Sequence, residues 1–136
     1  MKKPGFLFLT AILFVLISCG EDDQDTPFNL LTGRTWVSES LLVNGQDASG
    51  PGQLLANFNG EAKFNKNGTG TFGTYTGSWR FAQNETQIII TTSDLPLPLT
   101  TVIELLNRTD LRINTAVPDP LNPAVNLQIR MTFKAK

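Results

Sequence analysis

The chain of 136 residues has no histidine and a single cysteine, Cys19. The first absence removes Ser-His-Asp triads, Cys-His pairs and histidine-ligated metals together. The second rules out an intramolecular disulfide, and a lipid on that one sulfur would leave no thiol nucleophile. A basic patch is missing as well. Net charge is −1, whereas nucleic-acid binding needs clustered cations to displace phosphate counterions, so no nucleic-acid partner is expected. Sustained helical periodicity is absent too; only residues 53–58 suit a turn or two of helix. Glu39, Glu61, Glu85 and Glu104 are scattered rather than set as a catalytic acid pair. The acidic run 21–25 lacks the alternating ligands and central glycine of a calcium loop. These absences predict a protein that is not an enzyme, with no metal and no cofactor.

What is present begins with a leader. Lys2 and Lys3 precede an apolar run over residues 6–17, broken only by Thr10. About 20 apolar residues are needed to span a bilayer as a helix, so this run reads as a signal peptide. Leu16-Ile17-Ser18-Cys19 follows the order of a bacterial lipobox, with an aliphatic residue, a small residue and then cysteine. Cleavage before Cys19 removes residues 1–18 and leaves its sulfur as the lipid attachment site. At about 0.8 kcal/mol per buried methylene, several acyl chains anchor stably where one binds reversibly. The expected partner is therefore a membrane, reached through the lipid on Cys19.

Residues 19–29 come next. Glu21, Asp22, Asp23 and Asp25, with no apolar residue before Pro27, cannot bury a core and predict a disordered tether. Acids directly after a lipidated cysteine resemble the export tags of surface lipoproteins in some Gram-negative bacteria. The expected location is the outer membrane, lipid-anchored, with cell-surface exposure as one reading of those acids and a solvated spacer as the other. Residues 30–136 remain, enough for a single core and too few for two.

That remainder is all-β in pattern. Short β-type runs cover 34–43, 61–66, 69–76, 78–83, 86–92, 100–106, 111–116 and 125–135. Asn67-Gly68 is a strong hairpin signal, and Gly77 reads as a second tight turn. The last run alternates most cleanly: Leu127, Ile129, Met131 and Phe133 on one face, Gln128, Arg130, Thr132 and Lys134 on the other. Eight such strands predict an up-and-down antiparallel barrel, closed so that no edge remains, with a two-sheet sandwich as the alternative.

The connections alternate in length. Those at 67–68, 84–85 and 107–110 are tight, whereas 44–60, 93–99 and 117–124 are long, which predicts one end closed by hairpins and one end ringed by loops. The first strand starts at the hairpin end, so the tether joins there and the mouth points away from the membrane. The long loops are rich in apolar residues: Leu54, Leu55 and Phe58 in the first, Leu95, Leu97 and Leu99 in the second, Leu121 in the third. Leu54, Leu55, Phe58, Leu95, Leu97 and Leu121 are the candidate ligand-binding residues, because clustered exposed apolar side chains mark binding sites. A plug that completes the core explains them equally well.

Leu31-Thr32-Gly33-Arg34-Thr35-Trp36, then Phe64 before Asn67-Gly68-Thr69, Gly77-Ser78-Trp79, Ile88-Ile89-Ile90 and Ile103 to Leu106 ahead of Leu111-Arg112-Ile113 occur in an order that resembles the lipocalin-like lipoproteins of Gram-negative bacteria. The resemblance covers residues 30–134. It implies a lipocalin-like barrel with Gly33 and Trp36 as a structural first-strand motif, and a basic residue near the last strand, Arg130, covering Trp36. Lipocalins proper separate Gly and Trp by one residue, whereas two lie between Gly33 and Trp36, so lipocalin ligand contacts do not carry over. Two functions are then expected. The first is binding of a small apolar or amphipathic molecule at the open end of the barrel. The second is a non-catalytic structural or protein-interaction accessory of the cell envelope with a filled barrel and an unidentified protein partner. A filled interior with no cavity rejects the first.

Overall fold

The computed structural model describes residues 25–136; the leader, the lipobox at Cys19 and the acids at 21–23 lie outside the described residues. The chain opens with a short helix, α1 (Pro27–Thr32). The Thr26 hydroxyl caps it by accepting from the Asn29 amide at 3.2 Å, and Pro27 occupies the first turn, where its missing N–H costs nothing. So short a helix does not stand alone in water. It is held by burial of Leu30 and Leu31 against the strands. α1 takes in Pro27, Phe28 and Asn29, which the acidic pattern assigns to the tether.

Nine strands follow: β1 (Thr35–Val43), β2 (Gln46–Asp47), β3 (Glu61–Phe64), β4 (Thr69–Phe72), β5 (Tyr75–Ala82), β6 (Gln87–Thr92), β7 (Leu99–Leu106), β8 (Asp110–Asp119) and β9 (Asn122–Ala135). Consecutive strands from β3 to β9 pair antiparallel, while β1 pairs with β3 on one side and β9 on the other. The result is a closed eight-stranded up-and-down barrel. The two-sheet sandwich is excluded by the β1–β9 ladder. The short β2 is an addition, paired with the end of β1 through a two-residue turn in which Asn44 and Gly45 both take positive φ.

Alternation builds the interior. Trp36, Leu41, Ala62, Phe64, Phe72, Trp79, Ile88, Ile90, Leu111, Ile113, Ile129, Met131 and Phe133 are buried. Two bulges keep the pattern inward where the sequence alone would lose it. One between Ser38 and Ser40 moves the inward set of β1 from Trp36 to Leu41; another between Ile103 and Leu105 turns Leu105 out beside Arg112 and returns Leu106 inward. Phe64, Phe72, Trp79 and Phe81 pack edge-on with centroids 5.2–5.7 Å apart.

Two connections differ from expectation. Gly77 is not a turn but an interior residue of β5, paired with Gly70 of β4 and Thr92 of β6. The turn lies at Gly73-Thr74, with Gly73 at φ 65°. The expected long loop at 117–124 is instead a hairpin, because β8 and β9 run on to Asp119 and Asn122 and leave only Pro120-Leu121 between them. Turns 65–68, 83–86 and 107–109 share one end with α1, and Asp25 ion-pairs with Arg108 there at 2.9 Å. Connections 44–60, 73–74, 93–98 and 120–121 form the opposite rim.

Candidate functional site

The rim is where the candidate ligand residues meet, and the structure divides them. After β2 the chain folds back over the barrel: the Leu55 amide donates to the Ala48 carbonyl at 3.0 Å, and a 3-10 turn over Ala56–Phe58 follows. Phe58 packs edge-on against Tyr75 at 4.9 Å between centroids. Ser38 fixes the far end of the loop, its amide donating to the Gly60 carbonyl and its hydroxyl accepting from the Gly60 amide, both at 2.8 Å. Leu55 and Phe58 are thereby buried in the core at 2 % and 6 % exposure. For these two, the plug is the outcome. Leu95 is half-buried against the same core, and so is Leu99.

The interior they close is full. Its void is about 10 Å³, enclosed by Phe58, Ala62, Phe64, Phe72, Ile90, Ile113, Met131 and Phe133. That is about the least volume that admits one water, and an apolar lining offers water no partners. No ligand fits inside the barrel.

Leu54 and Leu121 behave differently. Both line a wide, open depression of about 500 Å³ on the rim. Its lining comes from two parts of the chain: Val43, Asn44, Gln46, Asp47, Ala48, Gly52, Gln53 and Leu54 around β2, and Asp119, Pro120, Leu121 and Leu127 from the β8–β9 tip and β9. Leu121 is almost fully exposed at 94 % and Leu54 is 44 % exposed. Leu97 is 75 % exposed but lies away from the groove.

Local chemistry holds both parts. The Asn44 amide donates to the Gln128 carbonyl at 2.8 Å, and the Gln128 amide donates to Asn44 Oδ1 at 2.9 Å, so the β1–β2 turn is tied to β9. At the β8–β9 tip the Leu121 amide donates to Asp119 Oδ1 at 2.9 Å, a turn in which aspartate replaces a backbone acceptor. Pro118, Pro120 and Pro123 stiffen this ribbon and remove donors from its edge, which blunts strand addition there. Asp47, Asp119 and Val43 belong to the groove without having been singled out by sequence, and Leu127, read as part of the inward face of the last strand, lines it too. Of the candidates named from sequence, Leu54 and Leu121 are the two that line it; the unread signal was Asn44-Gly45, the same hairpin dipeptide as Asn67-Gly68.

At the opposite end, Trp36 is fully buried and donates its indole N–H to the Leu31 carbonyl at 3.0 Å. The cation over its ring is Arg34, 5.9 Å from the centroid, and not the expected Arg130, which pairs with Glu104 on the outer face. Gly33 ends α1; a Cβ there would sit 2.7 Å from the Asn29 carbonyl oxygen. The first-strand motif thus fastens the helix to the barrel floor.

Among the described residues no group of three or more acids or cysteines is placed to hold a metal ion, and no helix is long and apolar enough to cross a membrane. No protein-family model and no curated protein matches the chain.

Proposed function

We propose that this chain is a lipid-anchored, non-catalytic protein of the Gram-negative outer membrane, lipocalin-like in kind, which binds a small amphipathic molecule in the rim groove. The observation that carries this reading is the groove itself: about 500 Å³ with Leu54, Leu121 and Leu127 on its walls, beside a barrel with no room inside. An eight-stranded barrel is compatible with ligand binding of the lipocalin type, but the binding surface here is outside the stave ring. The lipobox at Cys19 supports the anchor. Residues 19–24 reach at most about 20 Å when fully extended. The hairpin end then faces the membrane and the groove faces away.

Native mass spectrometry of the chain from Gly20 to Lys136, purified from cells without detergent, tests binding. A co-purifying small molecule that is lost in the Leu54→Ser/Leu121→Ser variant supports the reading, and an empty chain from every growth condition counts against it. Labelling with a radioactive fatty acid tests the anchor: incorporation should vanish in Cys19→Ser.

The filled interior favours a second reading, in which the rim contacts another envelope protein. In-cell cross-linking separates the two. One dominant protein adduct, lost on changing exposed Leu97 and Leu121 to Ser, would support the accessory role.

A further inference from the structure

The charge of the rim is one-sided. Across the connections 44–60, 73–74, 93–98 and 120–121 the charged side chains are Asp47 and Asp94, Asp119 joins them at the end of β8, and no lysine or arginine occurs there. Two of these acids, Asp47 and Asp119, line the groove, one from β2 and one from the end of β8. Neither forms an ion pair; the ion pairs among the described residues join Arg108 to Asp25, Arg130 to Glu104, Lys134 to Asp110 and Lys136 to Glu61. Their hydrogen bonds are local ones, from the Ser49 hydroxyl to Asp47 at 2.7 Å and from the Leu121 amide to Asp119 at 2.9 Å. Each carboxylate therefore remains without a compensating cation and keeps spare acceptor capacity.

From this we infer that the groove selects a cationic amphipath: an apolar body lying against Leu54, Leu121 and Leu127, with an ammonium head between Asp47 and Asp119. The inference rests on the rim-binding reading above and deepens it to a ligand class. The physical reason is simple. A cleft lined by one sign of charge concentrates the opposite sign and repels its own, and uncompensated carboxylates have no competing cation to displace. An anionic amphipath meets two like charges and finds no donor cation. A neutral one gains only the apolar contact.

Three amphipaths with one tail and different heads make the test: decyltrimethylammonium, decyl maltoside and decyl sulfate, each titrated below micelle formation into the chain from Gly20 to Lys136. Methyl resonances of Leu54, Leu121 and Leu127 report occupancy. An exposed ion pair strengthens binding up to about fivefold, so the cationic head should bind several-fold tighter than the neutral one, and the sulfate should bind most weakly. Added salt should narrow the gap. Asp47→Asn/Asp119→Asn keeps both local hydrogen-bond acceptors and should bring the cationic head down to the neutral one. Leu121→Ser should weaken all three alike. Equal affinity for cationic and neutral heads, or tightest binding of the sulfate, overturns the cation preference and leaves rim binding standing. If no probe moves those methyls, rim binding itself fails.

Discussion

Trp36 Nε1 donates a hydrogen bond to the Leu31 carbonyl at 3.0 Å, in a place where both residues are fully buried. This bond joins the first strand to the helix that precedes it. Phe28 adds to the seal, with its ring 6.0 Å from that of Trp79. Trp36→Phe keeps an aromatic ring but leaves the Leu31 carbonyl without that partner, which costs about 1–3 kcal/mol for a buried acceptor. Urea unfolding should show a lowered midpoint with an unchanged slope. A midpoint equal to that of the parent chain would show that the helix is not held through this bond.

Gly77 is in the wall because nothing larger fits. A Cβ on it would collide with the Thr91 carbonyl oxygen, and a Cβ on the facing Gly70 would lie 2.7 Å from the Lys63 carbonyl oxygen and the Phe72 ring. Gly77→Ala should destabilise by about 1–3 kcal/mol through overpacking. Asn is accepted in many turns but relieves no clash in a strand. Gly77→Asn should therefore unfold at no higher urea concentration than Gly77→Ala. Recovery of stability by Asn would instead mark Gly77 as a turn.

That residue shows where sequence reasoning succeeds and where it stops. Period-two alternation exposes the inward faces, so Ile129, Met131 and Phe133 and the closed all-β fold were legible from the chain alone. Gly77 was not, because a glycine needed for close backbone approach looks the same as one needed for a turn. The β8–β9 tip, with prolines at 118, 120 and 123, was hard to read for a related reason. They suggest a loop because they cannot donate, yet at the tip of a projecting ribbon the missing donor is harmless, and Pro118 pairs opposite Asn126 within β8–β9. The helix α1 has too few turns to display periodicity. Among the loop leucines, spacing gave no means of separating buried Leu55 from its exposed neighbour Leu54, because that depends on how residues 44–60 fold back over the core. The groove carboxylates are brought together from distant parts of the chain by the barrel's closure.

Lys134 on β9 and Asp110 on β8 lie opposite one another and form an ion pair. The hydrogen bond from Lys134 lowers the carboxyl pKa of Asp110, helped by one from Thr109; in turn, the bond to Asp110 raises the pKa of Lys134. The depressed carboxyl stabilises the fold above its ordinary range and loses that contribution as pH falls through its folded-state value, below about 4. The raised ammonium contributes below its ordinary range and loses its effect as pH rises past its folded-state value, above about 10. Asp110→Asn should flatten both limbs of the urea midpoint against pH. If the acid limb persists at full size in the variant, other carboxylates carry it.

Leu55 and Leu121 are both loop leucines, but one closes the core and the other faces solvent at 94 % exposure. Leu55→Ala removes a side chain from the plug beside Phe58 and should cost about 2–5 kcal/mol, the range for truncating a buried leucine. Leu121→Ala removes no packing and should change stability by no more than about 0.5 kcal/mol. The two substitutions also separate scaffold from site. Leu121→Ala should weaken amphipath binding with its urea midpoint intact, because the side chain forms a groove wall and supports nothing behind it. Leu55→Ala should lower the midpoint while its folded fraction retains the parent affinity, since Leu55 does not line the groove. Equal, small losses of stability from both would mean that residues 44–60 form a loose mouth over the barrel, and that Leu55 and Phe58 are open to ligand after all.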